Sequence, residues 1–387
     1  MQKTLRTPTR VVIVDSSGAM RELLASIFRE VGDIQVVGSC ATGDEAVKLV
    51  KNVRPDVITM DIHTPHGMNN LDAVRQIMRD QPTPMIIVTA SQKPHDMEVA
   101  FQAMRAGALA VLNKPGLNDP ETSQKLVQNV RLMAGVPVIH HWGRSAVTDR
   151  LGGEKPGSAS NGAPKLEKIK SAVGVVVGQN LSLQKMQELK AKVRVIGIAA
   201  STGGPSAVAS VIRTLPASFP LPLVLVQHFS PGFASGLADW LGTQTGLQVE
   251  IAAHGDVLQP GVMLLAPDDY HLQVKPNGLV ELAKTPSYKG LRPSANPLFE
   301  SLARSYGAAA LGVILTGMGD DGADGMAALH AAGGAVIAQE EESCVVYGMP
   351  REVVARGAAD AILTPEQIAL TLEQFLPPTL SRGGSIS

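Results

Sequence analysis

At 387 residues, with 44% hydrophobic and 18% charged side chains, the chain has apolar material for two or three domains, each with a full core. Its 34 Lys and Arg against 35 Asp and Glu leave a formal net charge of −1, and aromatic residues make up 3%, which excludes a global basic field or a base-stacking platform for nucleic acid. Only Cys40 and Cys344 are present, so a disulfide framework or zinc knuckle is excluded, and with neither an apolar h-region at the start nor an apolar run of bilayer length, a cytoplasmic setting without membrane insertion is expected.

Arg10–Asp15 (R-V-V-I-V-D) reads as a strand ending in a carboxylate, followed by helical periodicity over Met20–Glu30. Ile34–Gly38 predicts a strand, Gly43–Asn52 a helix, and Asp56–Asp61 (D-V-I-T-M-D) a third strand that again ends in a carboxylate. Met85–Thr89 and Ala108–Lys114 supply two more strands, with helical stretches between them. Short apolar strands alternating with helices imply a parallel, doubly wound sheet, whose ligands bind at the carboxyl ends of the strands. Those ends carry Asp15, Asp61, Thr89 and Lys114, a set suited to a divalent cation and a phosphoryl group.

This set, with D-S-S-G-A-M-R and L-N-K-P around it, resembles a response-regulator receiver domain, expected over residues 9–126. The resemblance implies Asp61 as acceptor of a phosphoryl group from a histidine kinase, Asp15 as an acidic-pocket residue, Thr89 as the switch hydroxyl and Lys114 as the phosphoryl contact. It also implies Mg²⁺ held by Asp15 and Asp61. Two features depart from the family pattern. Ser16 stands where receivers usually carry a second acidic residue, which lowers the expected metal affinity, and the loop after Asp61 lacks the usual Asp-Gly. His63 and His66 in that loop read as a solvated pair, since no remote third metal ligand is evident.

A Gly-, Ser- and Pro-rich stretch, G-G-E-K-P-G-S-A-S-N-G-A-P-K, marks residues 127–192 as a flexible linker, with room for a loosely docked helix after Lys165. Ser182–Lys185 matches S-x-x-K but lacks the companion motifs of penicillin-recognising enzymes, so it reads as chance.

Residues 193–378 form the second expected domain. Val193–Pro205 (V-R-V-I-G-I-A-A-S-T-G-G-P) reads as a buried strand, a sharp Gly turn and a helix start, continued by helical spacing through Ser206–Leu215. That geometry lifts Ser201 to the rim of a sheet and aims helix N-terminal N–H groups at whatever it attacks; the plainer reading makes Ser201 a helix cap. Leu221–His228 is a strand ending in His228, and Gly261–Ala266, Leu272–Val274, Ala309–Leu315, Ala335–Gln339 and Ala361–Leu363 are further strands. Helices are expected over Asp324–Ala332 and Pro365–Phe375. Ser201, His228 and either Asp320 or Asp321 converge on one rim if the sheet is parallel, which brings a nucleophile, a base and an orienting carboxylate together. The alternative is a non-enzymatic signalling adaptor, in which a degenerate receiver and an inert hydrolase fold act as a binding module.

The stretches G-I-A-A-S-T-G-G-P, V-Q-H-F-S-P-G-F, R-P-S-A-N-P-L-F, L-T-G-M-G-D-D-G-A-D-G and A-Q-E-E-E-S-C-V-V-Y-G-M-P resemble the CheB family of chemotaxis protein-glutamate methylesterases. The resemblance implies two α/β doubly wound parallel-sheet domains, a flavodoxin-like receiver and a Rossmann-like methylesterase, joined by a flexible linker. It assigns Ser201 as nucleophile, His228 as base and Asp321 as orienter, because the family motif G-M-G-x-D-G puts the aspartate directly before the glycine. It associates Thr202 and Met318 with oxyanion and substrate binding. It implies hydrolysis of γ-methyl glutamate esters on methyl-accepting chemoreceptors, often with deamidation of receptor glutamines, and no cofactor for catalysis.

Overall fold

The computed structural model describes residues 7–62, 68–90, 94–136, 176–177 and 183–377. Its first five strands are β1 (Thr9–Val14), β2 (Ile34–Cys40), β3 (Val57–Met60), β4 (Met85–Thr89) and β5 (Ala110–Asn113). They alternate with α1 (Gly18–Val31), α2 (Gly43–Val53), α3 (Asn70–Asp80), α4 (Pro94–Arg105) and α5 (Pro120–Met133). Val11, Val12, Ile13 and Val14 are all buried, as a parallel strand covered by helices on both faces requires. Local chemistry sets the helix starts: Thr42 Oγ1 accepts from Glu45 N–H at 3.4 Å, while the Glu45 carboxylate accepts from Ala41 N–H at 2.9 Å. The strand order is β2-β1-β3-β4-β5, every pairing parallel, so the direction of winding reverses between β1 and β3. Asp15 and Asp61 follow those two strands, at the crevice such a reversal opens. The fifth helix runs to Met133, past the expected boundary at 126, because Leu126, Val127, Val130 and Met133 keep a buried stripe at helical spacing.

The second sheet has eight parallel strands in the order β6-β15-β14-β13-β7-β8-β10-β9. They are β6 (Val176–Val177), β7 (Val195–Ala200), β8 (Leu223–Gln227), β9 (Gln248–Ile251), β10 (Val262–Leu265), β13 (Ala310–Ile314), β14 (Ala335–Gln339) and β15 (Ala361–Leu363). A separate antiparallel pair, β11 (His271–Val274) and β12 (Val280–Ala283), stands outside this sheet, so Leu272–Val274 is a hairpin strand and not a member of the wound sheet as expected. The helices are α6 (Leu183–Lys192), α7 (Gly204–Ile212), α8 (Ala234–Gly242), α9 (Ala295–Ser305), α10 (Ala323–Ala331), α11 (Met349–Ala355) and α12 (Pro365–Glu373).

Part of the stretch expected to be linker belongs to this domain. Val176 and Val177 pair with Ala361 and Ile362 at the sheet edge, and Met186 and Leu189 of α6 are buried. Ser182 and the pair His63 and His66 lie outside the described residues.

The two domains meet through α4, which packs on α7 and α8. Phe101 stacks on Trp240 with ring centroids 5.4 Å apart and meets Phe229 edge-on at 6.1 Å. Ser206 Oγ reaches Met104 O at 3.5 Å, and Asn113 Nδ2 reaches Pro231 O at 3.4 Å.

Candidate active site

In the second sheet, β8, β9 and β10 lie on one side of β7, while β13, β14 and β15 lie on the other. The winding therefore reverses between β7 and β13, and the crevice outside their carboxyl ends is where a doubly wound sheet binds ligand. Ser201 directly follows β7, His228 directly follows β8, and Asp321 lies in the loop after β13.

Backbone hydrogen bonds hold Ser201 at this rim. Its N–H donates to Thr316 O at 3.0 Å, and its carbonyl accepts from Gly204 N–H at 2.9 Å and from the buried Gln227 Nε2 at 2.7 Å. The Gly317 backbone abuts it so closely that a Cβ at 317 would lie 2.7 Å from Ser201 Cβ. Neither Thr202 N–H nor Met318 N–H donates to any described residue, so both are available to an incoming oxygen. The Met318 side chain is 42% exposed. Thr202 directly follows Ser201, and Met318 directly follows the Gly317 that abuts it.

Asp321 is 2% exposed, and its Oδ2 accepts from His228 Nε2 at 2.8 Å. That bond puts the proton on Nε2 and leaves the Nδ1 lone pair as the only base on the ring. The carboxylate also caps α9, accepting from Ala295 N–H at 2.7 Å, Asn296 N–H at 3.4 Å and Ser294 Oγ at 2.6 Å. Burial alone would raise its pKa; the hydrogen bond and charge of His228, with the Ser294 and Ala295 donors, outweigh it and hold the carboxyl below its ordinary value. Asp320 instead faces outward and pairs with the exposed Lys289 at 2.5 Å, which separates the two adjacent aspartates. No hydrogen bond joins Ser201 Oγ to His228 among the described residues; catalytic contacts of this kind commonly tighten only with substrate present.

At the other rim, Lys114 Nζ lies 2.7 Å from both Asp15 Oδ2 and Asp61 Oδ2. Burial opposes the lysine charge, but the two carboxylates overcome this and raise its pKa. Thr89 is buried beside them at the end of β4. Among the described residues no cluster of three or more His, Cys, Asp or Glu is arranged to hold a metal. Two carboxylates do fit Mg²⁺, which keeps several waters and needs only one or two protein carboxylates.

The chain matches the CheB methylesterase family model over residues 196–372 and the response regulator receiver domain model over residues 11–128. A protein-glutamate methylesterase/protein-glutamine glutaminase of Nitrosospira multiformis is 39% identical over 370 residues, covering 95% of this chain and 96% of its own. The chain belongs to the CheB family. A Myxococcus xanthus member is 40% identical over 369 residues, covering 94% of this chain and 96% of its own. Among solved structures, the catalytic domain of Thermotoga maritima CheB methylesterase is 38% identical and covers 48% of this chain and all (100%) of its own, with a TM-score of 0.46. Within this CheB chain, α4 and β5 of the receiver touch loops on the Ser201 rim: Phe229, which directly follows His228, meets Phe101, Asn113 reaches Pro231, and Val345 and Val346 pack against the receiver core.

Motif reading missed Ser294, Gln227 and His271. Ser294 was within reach, because a serine two residues after Arg292 and just before A-N-P-L-F is a helix-cap signal. Gln227 and His271 carry no such signal, since the bonds that tie them to Ser201 and Ser294 span 26 and 23 residues.

Proposed function

We infer that this chain hydrolyses glutamate γ-methyl esters on methyl-accepting chemoreceptors, releasing methanol, and deamidates receptor glutamines by the same route. The observation that carries this reading is the Asp321–His228 hydrogen bond at 2.8 Å, formed beside Ser201 at the winding reversal of a CheB-family chain. His228 Nδ1 takes the Ser201 proton as Oγ attacks the ester carbonyl, and Asp321 stabilises the imidazolium so formed. Thr202 and Met318 N–H groups receive the carbonyl oxygen as it gains charge. The imidazolium then protonates the departing methoxide, leaving an acyl-Ser201, and water repeats the sequence to free the glutamate and Ser201. The adaptor alternative predicts no methanol at all from methylated receptor, so that assay decides between them.

Phosphorylation of Asp61 by the chemotaxis histidine kinase is the proposed control, in a cytoplasmic pathway; no described helix is long and apolar enough to cross a membrane. Asp15 and Asp61 would hold Mg²⁺, which when bound screens the charge of the phosphoryl group; Ser16 makes this hold weaker than a third carboxylate would. Lys114, now bridging the two carboxylates, would move to the phosphoryl oxygens, and Thr89 would donate its hydroxyl. With acetyl phosphate and Mg²⁺, the wild-type chain should be labelled and release methanol faster, whereas Asp61→Asn should take up no label and gain no rate. A labelled Asp61→Asn protein would move the phosphosite elsewhere.

Occlusion of the Ser201 rim by the unphosphorylated receiver follows from the α4 contact. Gly236 on α8 permits it: a Cβ there would lie 2.7 Å from Met97 Cβ and 3.4 Å from Phe101 Cε2. Gly236→Leu should wedge the domains apart without entering either sheet and raise basal methanol release about ten-fold, since overpacking costs about 1–3 kcal/mol and each ~1.4 kcal/mol is ten-fold in a population. An unchanged basal rate in a folded Gly236→Leu protein would rule out occlusion at this contact.

A further inference from the structure

The carboxylate that orients His228 is itself oriented, by groups the reaction scheme does not use. Ser294 and His271 are 0% and 1% exposed. Ser294 Oγ donates to Asp321 Oδ1 at 2.6 Å, while Oδ2 accepts from both Ala295 N–H at 2.7 Å and His228 Nε2 at 2.8 Å. Both oxygens are thus tied to the start of α9, Oδ1 by Ser294 and Asn296 and Oδ2 by Ala295, and Oδ2 alone also faces the base. Ser294 is pinned in turn, since its N–H donates to His271 Nδ1 at 3.1 Å and His271 Nε2 faces Pro286 O at 3.2 Å. An accepting Nδ1 and an acceptor opposite Nε2 fix the Nε2–H tautomer of this buried ring. The order His271, Ser294, Asp321, His228 is therefore a continuous hydrogen-bonded chain from the β11 hairpin to the base.

We propose that Ser294 is a positioning residue for ester hydrolysis, anchored by His271, which sets the carboxylate plane so that Oδ2 meets His228 Nε2. The proposal rests on the hydrolytic reading of Ser201, His228 and Asp321. A plainer role exists, because Ser294 Oγ also accepts from Asn296 N–H at 3.3 Å as an ordinary helix cap. The two bonds do not compete: a lone pair accepts from Asn296 at 3.3 Å while the O–H proton itself goes to Asp321 at 2.6 Å. A cap alone would affect melting temperature and leave turnover untouched.

The test uses the full chain with Ser294→Ala, Ser294→Cys and Ser294→Thr. Three readouts are taken: kcat and KM for methanol release from methylated receptor, the rate at which a fluorophosphonate labels Ser201, and the downfield proton resonance of the His228–Asp321 hydrogen bond. Ser294→Ala and Ser294→Cys should lower kcat and the labelling rate by on the order of ten- to a hundred-fold with KM held, the cost of a misaligned catalytic group. Their proton resonance should shift or broaden. Ser294→Thr, which keeps the hydroxyl, should restore all three. Wild-type kcat, labelling and resonance in folded Ser294→Ala would overturn the proposal and leave Ser294 a cap; if the alanine protein fails to fold, the near-isosteric cysteine decides in the same way. If the wild-type chain is labelled at Ser201 yet releases no methanol, the substrate reading falls, while labelling and resonance still judge Ser294.

Discussion

Ser201→Ala is expected to cut methanol release by about 10⁴–10⁶-fold, the loss seen when a nucleophile is removed from a group of residues acting as a unit. The fold should be untouched. Ser201 is tied into the structure by its backbone, through Thr316 O, Gly204 N–H and Gln227 Nε2, and its hydroxyl bonds to no described residue. The Thr202 and Met318 N–H groups would survive in the variant, so residual rate above that of water would report oxyanion stabilisation together with substrate binding. Methanol assay and fluorophosphonate labelling together check the result. A wild-type-like rate in the folded alanine protein would end the assignment of Ser201 as nucleophile.

Asp321→Asn should cost about 10⁴-fold in kcat, the effect of presenting the base in its wrong tautomer. The carboxylate accepts from His228, Ser294, Ala295 and Asn296 at once, and each of its oxygens faces donors only. An amide must turn its NH₂ toward one of those groups. Facing His228 Nε2, it forces the ring proton onto Nδ1, where Ser201 needs a lone pair. Facing Ser294 and Asn296, it opposes two donors and loosens the first turn of α9. Either way a stability change accompanies the rate change. Because the pKa of Asp321 is depressed in the native state, its ionised form contributes stability above the ordinary carboxylate value of about 3.9, and this is lost as pH falls through the lower native value. The asparagine protein should lack that acid-sensitive component in its unfolding curve. Asp320→Asn is the matched control: it loses an exposed pair with Lys289 and should keep near wild-type turnover, since exposed pairs contribute little. Equal losses in both variants would undo the choice between the two neighbours.

Much of this architecture was legible because parallel strands buried on both faces are short apolar runs, and β1, β3, β4, β7, β8 and β13 all read that way. Strand ends then located Asp15, Asp61, Ser201 and His228 with no knowledge of contacts. The elements that escaped are of another kind. The β9 sequence Q-V-E-I lies at a sheet edge and is only partly covered, so its apolar signal is weak. Of the β11–β12 hairpin only Leu272–Val274 was read as a strand, and periodicity does not tell whether such a run joins the main sheet. The ends of the linker were misjudged for opposite reasons. α5 continued under tertiary packing beyond its clearest periodicity, and β6, only two residues long, is a strand solely because β15 offers an open edge. Ser294 carried a helix-cap signal, but its bond to Asp321, 27 residues away, and the bond from its N–H to His271, 23 residues away, span distances at which sequence pattern carries none.

The placement of β13 bears on when the chain gains its chemistry. β13 pairs with β7, Ala310 against Val195, and only this pairing brings the loop bearing Asp321 up to Ser201 and His228. Contacts this distant in sequence form after local ones, because the closure entropy of the intervening chain must be overcome first. Synthesis proceeds from the N-terminus, and domains fold as units in that order. The receiver is thus complete before the strand that finishes the hydrolytic centre has left the ribosome. A nascent chain that ends before β13 carries Ser201 and His228 without the carboxylate that orients the base. On the occlusion reading, the domain that would restrain the centre is folded before the centre is complete.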